Sequence, residues 1–234
     1  VDGRSHASAI APVRDTRPGS LALAYGLVRE AVGTGVRKVS ATIAREGMER
    51  MRRHPAELED ALGRATSVLM VCHGNIIRSP FAACVLRSVL GPHGIAIDSA
   101  GLEAVPGRPA HPIAIEIASA MHLDLEHHRA CLLSVEQVQS ADVIFAADVM
   151  QFVAIRRRFR EARDKTYPLS CLAPATPLDI HDPVNGDETV FVASYLHIID
   201  AISPIARVLS ARSCAPSKTC SDRASSPHAS TPSF

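Results

Sequence analysis

An excess of charge of either sign is missing from this chain: 25 Lys and Arg stand against 24 Asp and Glu over 234 residues, a formal net charge of +1. That balance gives no support to a nucleic-acid partner. Also missing is any run approaching the ~20 apolar residues of a membrane span, and the N-terminal residues lack the charged-then-apolar layout of a secretion signal. The six cysteines, Cys72, Cys84, Cys131, Cys171, Cys214 and Cys220, show neither the dense spacing of a disulfide scaffold nor a paired CxxC zinc pattern. These absences predict no metal, no cofactor and no membrane span, with a reducing cytoplasm as the natural compartment. What is present is 47% hydrophobic content, enough for one substantial domain with extensions.

Residues 1 to about 19 carry Gly, Pro and Ser without periodicity and read as a flexible leader. Leu21, Leu23, Leu27, Val28, Ala31 and Val32 mark a candidate helix ending near Gly33 to Gly35. Val36, Val39, Ile43 and Met51 mark another, with Arg37, Lys38, Arg45 and Arg52 interleaved as a solvated face, and Pro55 starts a short third helix through Leu62. Residues 1–65 are therefore expected to be a flexible leader and a helical extension, and the Ser- and Pro-rich residues 211–234 a disordered tail.

From about residue 66 strands alternate with helices, the pattern of a parallel sheet covered on both faces. The expected elements are strands 67–72, 94–98, 142–146 and 166–169, and helices 79–90, 111–122, 134–140, 148–162 and 187–209. Pro204 is expected to kink the last helix or end it early. The fold class is α/β, a doubly wound parallel four-stranded sheet, in one domain over residues 66–210.

The chemistry concentrates in Val71-Cys72-His73-Gly74-Asn75-Ile76-Ile77-Arg78-Ser79-Pro80, an apolar strand running into a turn and then a helix. Gly74 and Asn75 let the backbone bend so that successive N–H groups point at one oxyanion, and Pro80 puts a helix N-terminus under the same anion. This field favours the Cys72 thiolate, and the planar fork of Arg78 can hold two phosphoryl oxygens. Phosphate binding is thus expected from His73, Gly74, Asn75, Ile76, Ile77, Arg78 and Ser79. Far along the chain, Asp182 is confined to extended geometry by Pro183 on a loop ended by Gly186, which presents its carboxyl rigidly.

The run from Val71 to Pro80 resembles the signature of the low-molecular-weight protein tyrosine phosphatases, departing from the commonest form at Ile77, usually a second cysteine. Ile97-Asp98-Ser99-Ala100-Gly101, Gly107-Arg108-Pro109-Ala110, Ile144-Phe145-Ala146-Ala147-Asp148 and the Asp182-Pro183 pair are similar to successive segments of that family. The resemblance implies a cysteine-dependent phosphatase that acts on protein phosphotyrosine, including that of a bacterial tyrosine kinase. It implies catalytic roles for Cys72, Arg78 and Asp182, a left-handed turn at Asn75 supported by Ser99 and His128, and a Ser79 hydroxyl donating to the thiolate. Cys131 stands where an arginine is usual beside His128. The family's aromatic pocket walls fall at Val105, Val184 and Asn185, none of them aromatic. The rival readings are an arsenate reductase-like enzyme, whose relay needs an added cysteine pair, and a phosphoprotein-binding module without turnover.

Overall fold

A computed structural model describes residues 40–211 except His93. The expected leader, the candidate helix near 21–32 and the tail from 212 lie outside the described residues. The chain divides into two compact units, Val1–Thr42 and Ile43–Phe234.

Residues 40–53 are helical (α1), followed by α2, Ala56–Arg64. Then come β1 (Ser67–Cys72), α3 (Arg78–Leu90), β2 (Ala96–Gly101), α4 (Pro112–Ala120), α5 (Val135–Ser140), β3 (Val143–Ala146), α6 (Val149–Arg158), β4 (Thr166–Pro168) and α7 (Glu188–Ala211). The four strands form one parallel sheet in the order β2-β1-β3-β4, as expected of a doubly wound α/β fold.

The pleat of β1 shows how the sheet is covered. Val68 and Met70 enter a core shared with Leu58, Leu62, Phe81, Leu86, Tyr195 and Ile202, whereas Leu69 and Val71 enter a core shared with Met48, Leu133, Ile144, Phe152 and Ile155. One face is thus roofed by α2, α3 and α7 and the other by α5 and α6 with Met48 of α1. Phe81 on α3 stacks on Tyr195 of α7 at a 3.6 Å centroid distance, closing the seam behind the loop that follows β1.

Three expectations need correction. β2 begins and ends later than the predicted 94–98, because Gly94 turns the chain at φ +69° and the pairing continues through Met70↔Ser99 to Cys72↔Gly101. α6 stops at Arg158, short of 162, because Phe159 turns extended and buries its ring at 5% exposure, after which Arg160–Ala162 make a single 3₁₀ turn. The last helix neither ends early nor stops at 209: it runs through Pro204 to Ala211. That helix also meets, by length and composition alone, the requirement for crossing a membrane, with mean hydropathy 1.5 over its apolar window. Its buried residues Phe191, Tyr195, Ile198, Ile202, Ile205 and Leu209 recur at spacings of three and four along one face packed on the sheet, which accounts for the apolar content as core.

Candidate active site

β1 delivers Cys72 to the carboxyl edge of the sheet, 2% exposed, with α3 beginning six residues on at Arg78. Between them Asn75 adopts φ +53°, a left-handed conformation that asparagine tolerates better than most residues. Every polar group of the Asn75 side chain is used. Its Nδ2 donates to Ser79 Oγ and to Ser99 Oγ, both at 2.9 Å, and its Oδ1 accepts from Cys131 N at 2.8 Å. Its carbonyl accepts from His128 Nε2 at 2.7 Å, which assigns the ring proton to that nitrogen. Burial pushes the His128 pKa below the ordinary histidine value, with the positive charges of Arg87 and Arg129 acting in the same direction and the bond to Asn75 against it.

The strands pack tightly at this point. A Cβ on Gly101 would stand 2.6 Å from the His73 carbonyl oxygen and 2.8 Å from Asn75 N, so only glycine lets β2 lie against the loop. Leu102 N and Glu103 N donate to the carbonyls of Cys72 and His73, at 3.0 and 2.9 Å, and His111 N donates to Ile76 O at 2.9 Å. With its carbonyls tied back this way, the loop is free to turn N–H groups inward; Asn75 N already lies 3.3 Å from Cys72 Sγ.

Ser79 Oγ lies 3.0 Å from Cys72 Sγ and 3.2 Å from Ala100 O. Its single proton goes to one or the other. A Cys72 thiol can donate to Ser79 while Ser79 donates to Ala100; a thiolate takes the Ser79 proton for itself. Arg78, 2% exposed, is held from two sides: Nη1 donates to Asp148 Oδ2 at 2.9 Å and to Ile180 O at 3.1 Å, and Nη2 pairs with Asp182 Oδ2. The structure therefore brings Cys72, Arg78, Ser79, Ser99, His128 and Asp182 into one constellation.

Asp148 was missed as a site residue. It caps α6, its Oδ1 accepting from Gln151 N at 2.8 Å, and the same carboxylate reaches Arg78. An aspartate closing an apolar strand was the only signal available. Glu103 and Arg108 were missed too: with Val105 and Val184 they form the wall of a cavity of about 160 Å3 over Cys72 and Asp182. His73 and Ile76 also line it, Asn185 does not, and Val105 and Val184 are 62% and 45% exposed.

Cys171 is buried, and its thiol is pushed up to about 12 by that burial, so it is inert at neutral pH. Cys131 is exposed, its Sγ 3.5 Å from Gln137 Nε2. Cys72, Cys84, Cys131 and Cys171 are all free thiols. Among the described residues no cluster of His, Cys, Asp and Glu is arranged to hold a metal.

The family model described as "Low molecular weight phosphotyrosine protein phosphatase" matches residues 67–213. The "Probable low molecular weight protein-tyrosine-phosphatase EpsP" of Ralstonia nicotianae is 36% identical over 146 residues, 61% of this chain and 97% of its own length. The "Protein-arginine-phosphatase" of Geobacillus stearothermophilus is 34% identical over 127 residues, 54% of this chain and 84% of its own. Among solved structures, Vibrio vulnificus Wzb in complex with benzylphosphonate superposes with a TM-score of 0.57 at 31% identity, covering 61% of this chain and 98% of that one. The YwlE arginine phosphatase from Geobacillus stearothermophilus gives 0.59 at 32%, covering 62% and 94%. With the signature on the loop after β1 and the match running through α7, the chain belongs to the low-molecular-weight phosphotyrosine protein phosphatase family and is a cysteine-dependent phosphatase.

Proposed function

We propose that the substrate is phosphotyrosine in a protein and that Cys72, Arg78 and Asp182 carry the reaction. The observation that supports these roles is the exchangeable pairing of Arg78. Its Nη1 is anchored by Asp148 and the Ile180 carbonyl, whereas its Nη2 meets Asp182, so an incoming phosphoryl oxygen can replace the Asp182 carboxylate without moving the guanidinium plane. Entry of substrate thereby fixes the phosphate and releases the Asp182 side chain to the leaving oxygen.

The Cys72 thiolate attacks phosphorus in line and the bond from phosphorus to the phenolic oxygen breaks. Inward N–H groups of residues 74–79 and Arg78 hold the three equatorial oxygens, and protonated Asp182 gives its proton to the departing oxygen. The products are a phosphocysteine and the dephosphorylated tyrosine side chain of the substrate protein. Water then attacks the phosphocysteine, Asp182 takes a proton from it, and inorganic phosphate leaves with the thiolate restored.

The relay of an arsenate reductase is disfavoured by the burial of Cys171. The cytoplasm is proposed as the working compartment, since Cys72 must remain reduced, and a bacterial tyrosine kinase as the phosphoprotein substrate. Purified protein assayed on phosphotyrosine and phosphoarginine peptides, with Cys72→Ser and Asp182→Asn beside it, tests the reading. Turnover of phosphotyrosine should vanish in Cys72→Ser and fall by ~10²–10⁴ in Asp182→Asn, less for nitrophenyl than for phenyl phosphate. Higher kcat/KM on phosphoarginine would reassign the substrate, and equal losses on the two aryl esters would reassign the acid.

A further inference from the structure

Arg45, Met48 and Arg52 follow one another at spacings of three and four, which puts them on one face of α1. Met48 is fully buried in the same core as Leu178. The arginines on either side of it, expected from the sequence on a solvated face, reach the segment that leads from β4 to Asp182. Arg45 Nη2 pairs with Asp179 Oδ2. Arg52 Nη2 donates to Ser170 Oγ at 2.8 Å and to Ser170 O at 3.2 Å, and Nη1 to Pro174 O at 3.4 Å. Ser170 Oγ in turn donates to Leu178 O at 3.4 Å, so the two ends of the segment are tied to each other as well as to α1.

The far end of this segment enters the active site. Asp179 Oδ1 accepts from Val149 N at 2.8 Å, in the first turn of α6, so its carboxylate is shared between α6 and α1. Ile180 N donates to Ala147 O at 2.9 Å, and Ile180 O accepts from Arg78 Nη1 at 3.1 Å. Ser194 of α7 donates to His181 O at 2.9 Å. Asp182 is thus aimed from a backbone that α1 holds through residue 179 and α7 through residue 181. Neither Arg45 nor Arg52 lines the cavity over Cys72. Both precede residues 67–213, which the family model matches, so this hold comes from outside the shared domain.

We propose that α1 is a positioning element for the proton-donating step: Arg45 and Arg52 fix the segment 170–179 and, through it, the aim of the Asp182 carboxyl at the leaving oxygen. The inference rests on Asp182 being the general acid. A shift of about 1 Å relayed from a remote contact is enough to cost a large factor in rate. A general acid matters only to a leaving group that needs a proton, so loosening the segment is felt on phenyl phosphate and hardly on dinitrophenyl phosphate, whose phenolate departs unprotonated. Damage to the anion loop or to Arg78 is felt on both esters alike, since both present the same phosphoryl group.

The full chain carrying Arg45→Gln, Arg52→Gln or both, with Asp182→Asn beside it, is assayed on the two esters, with inorganic phosphate as inhibitor. In the double variant kcat/KM for phenyl phosphate should fall about tenfold and that for dinitrophenyl phosphate less than about twofold, with phosphate inhibition unchanged. Arg45→Lys keeps a charge facing Asp179 and should recover most of the loss of Arg45→Gln. Asp179→Asn, whose amide oxygen still accepts from Val149 N, should match that loss and add nothing to it when the two are combined. Partial unfolding scales both esters equally, so their ratio reads positioning alone. An unchanged ratio in the arginine variants, weakened phosphate inhibition, no rescue by lysine, or additive losses at Arg45 and Asp179 would each overturn the proposal. A ratio that shifts in Asp182→Asn and not in the arginine variants removes α1 and leaves the acid in place; a ratio unmoved even in Asp182→Asn removes both.

Discussion

His128 acts on the active site through the backbone of Asn75 and has no contact with a reacting atom. Because burial lowers its pKa in the fold, the unfolded chain binds the proton more tightly, and stability rises with pH over the interval between the two values. The contribution is complete above the unfolded value of about 6.5 and is lost as pH falls through the lower folded value. Urea midpoints measured across this range should drop on acidification in wild type and drop less in His128→Gln, whose amide can still donate to Asn75 O. A matching pH dependence in both proteins would remove His128 from the account. Cys72 and Arg78 could be read from the sequence because they share one anion-loop motif with its own chemistry, whereas the roles of Ser79 and Asp182 came from the family resemblance, an Asp-Pro pair being by itself an ordinary turn. Asp148 could not: it serves Arg78 from a position 70 residues away, and nothing local distinguishes it from any capping aspartate.

Among the elements, α7 departs furthest from its sequence expectation. A proline inside a helix removes one N–H and crowds the carbonyl four residues back, here that of Asp200, yet Ile202, Ile205, Ala206 and Leu209 continue the buried face on both sides of Pro204. Tertiary packing overrides the local penalty, and no reading of propensity alone could have weighed it. Pro204→Ala should restore a helical hydrogen bond and raise stability by about 1–2 kcal/mol, seen as a higher urea midpoint with an unchanged slope. No change in the midpoint would mean that Pro204 compensates by packing. The strands β1 and β3 were legible because each is a short apolar run in a sheet buried on both faces; the start of β2 and the end of α6 were not, since Gly94 and Phe159 act through a turn and a distant core.

At the scale of the whole molecule, the pocket floor is deep and rigid and its walls are low. Val105 and Val184 stand on the rim of the cavity where a phenyl ring would lie, and both are exposed. Aromatic contact is worth ~0.5–1.5 kcal/mol beyond burial, so wild type should show a high KM for isolated phosphotyrosine, and Val184→Tyr should lower it by up to about tenfold with kcat nearly constant. A low-micromolar KM in wild type, or no response to the substitution, would show that the charged rim of Glu103 and Arg108 does the gripping. The same contrast between floor and rim applies to mutational tolerance across the chain. In a saturation scan scored by growth or turnover, position 101 should read as an empty column, alanine included, because any Cβ there strikes the backbone of the anion loop at 2.6 Å. Gly47, within α1 and with nothing within 4 Å of its would-be Cβ, should read as a permissive column in which alanine gains up to about 1 kcal/mol. Two glycines identical as residues would thus sit at opposite extremes of the fitness map, and the steric record of the active site could be recovered from genotype counts alone.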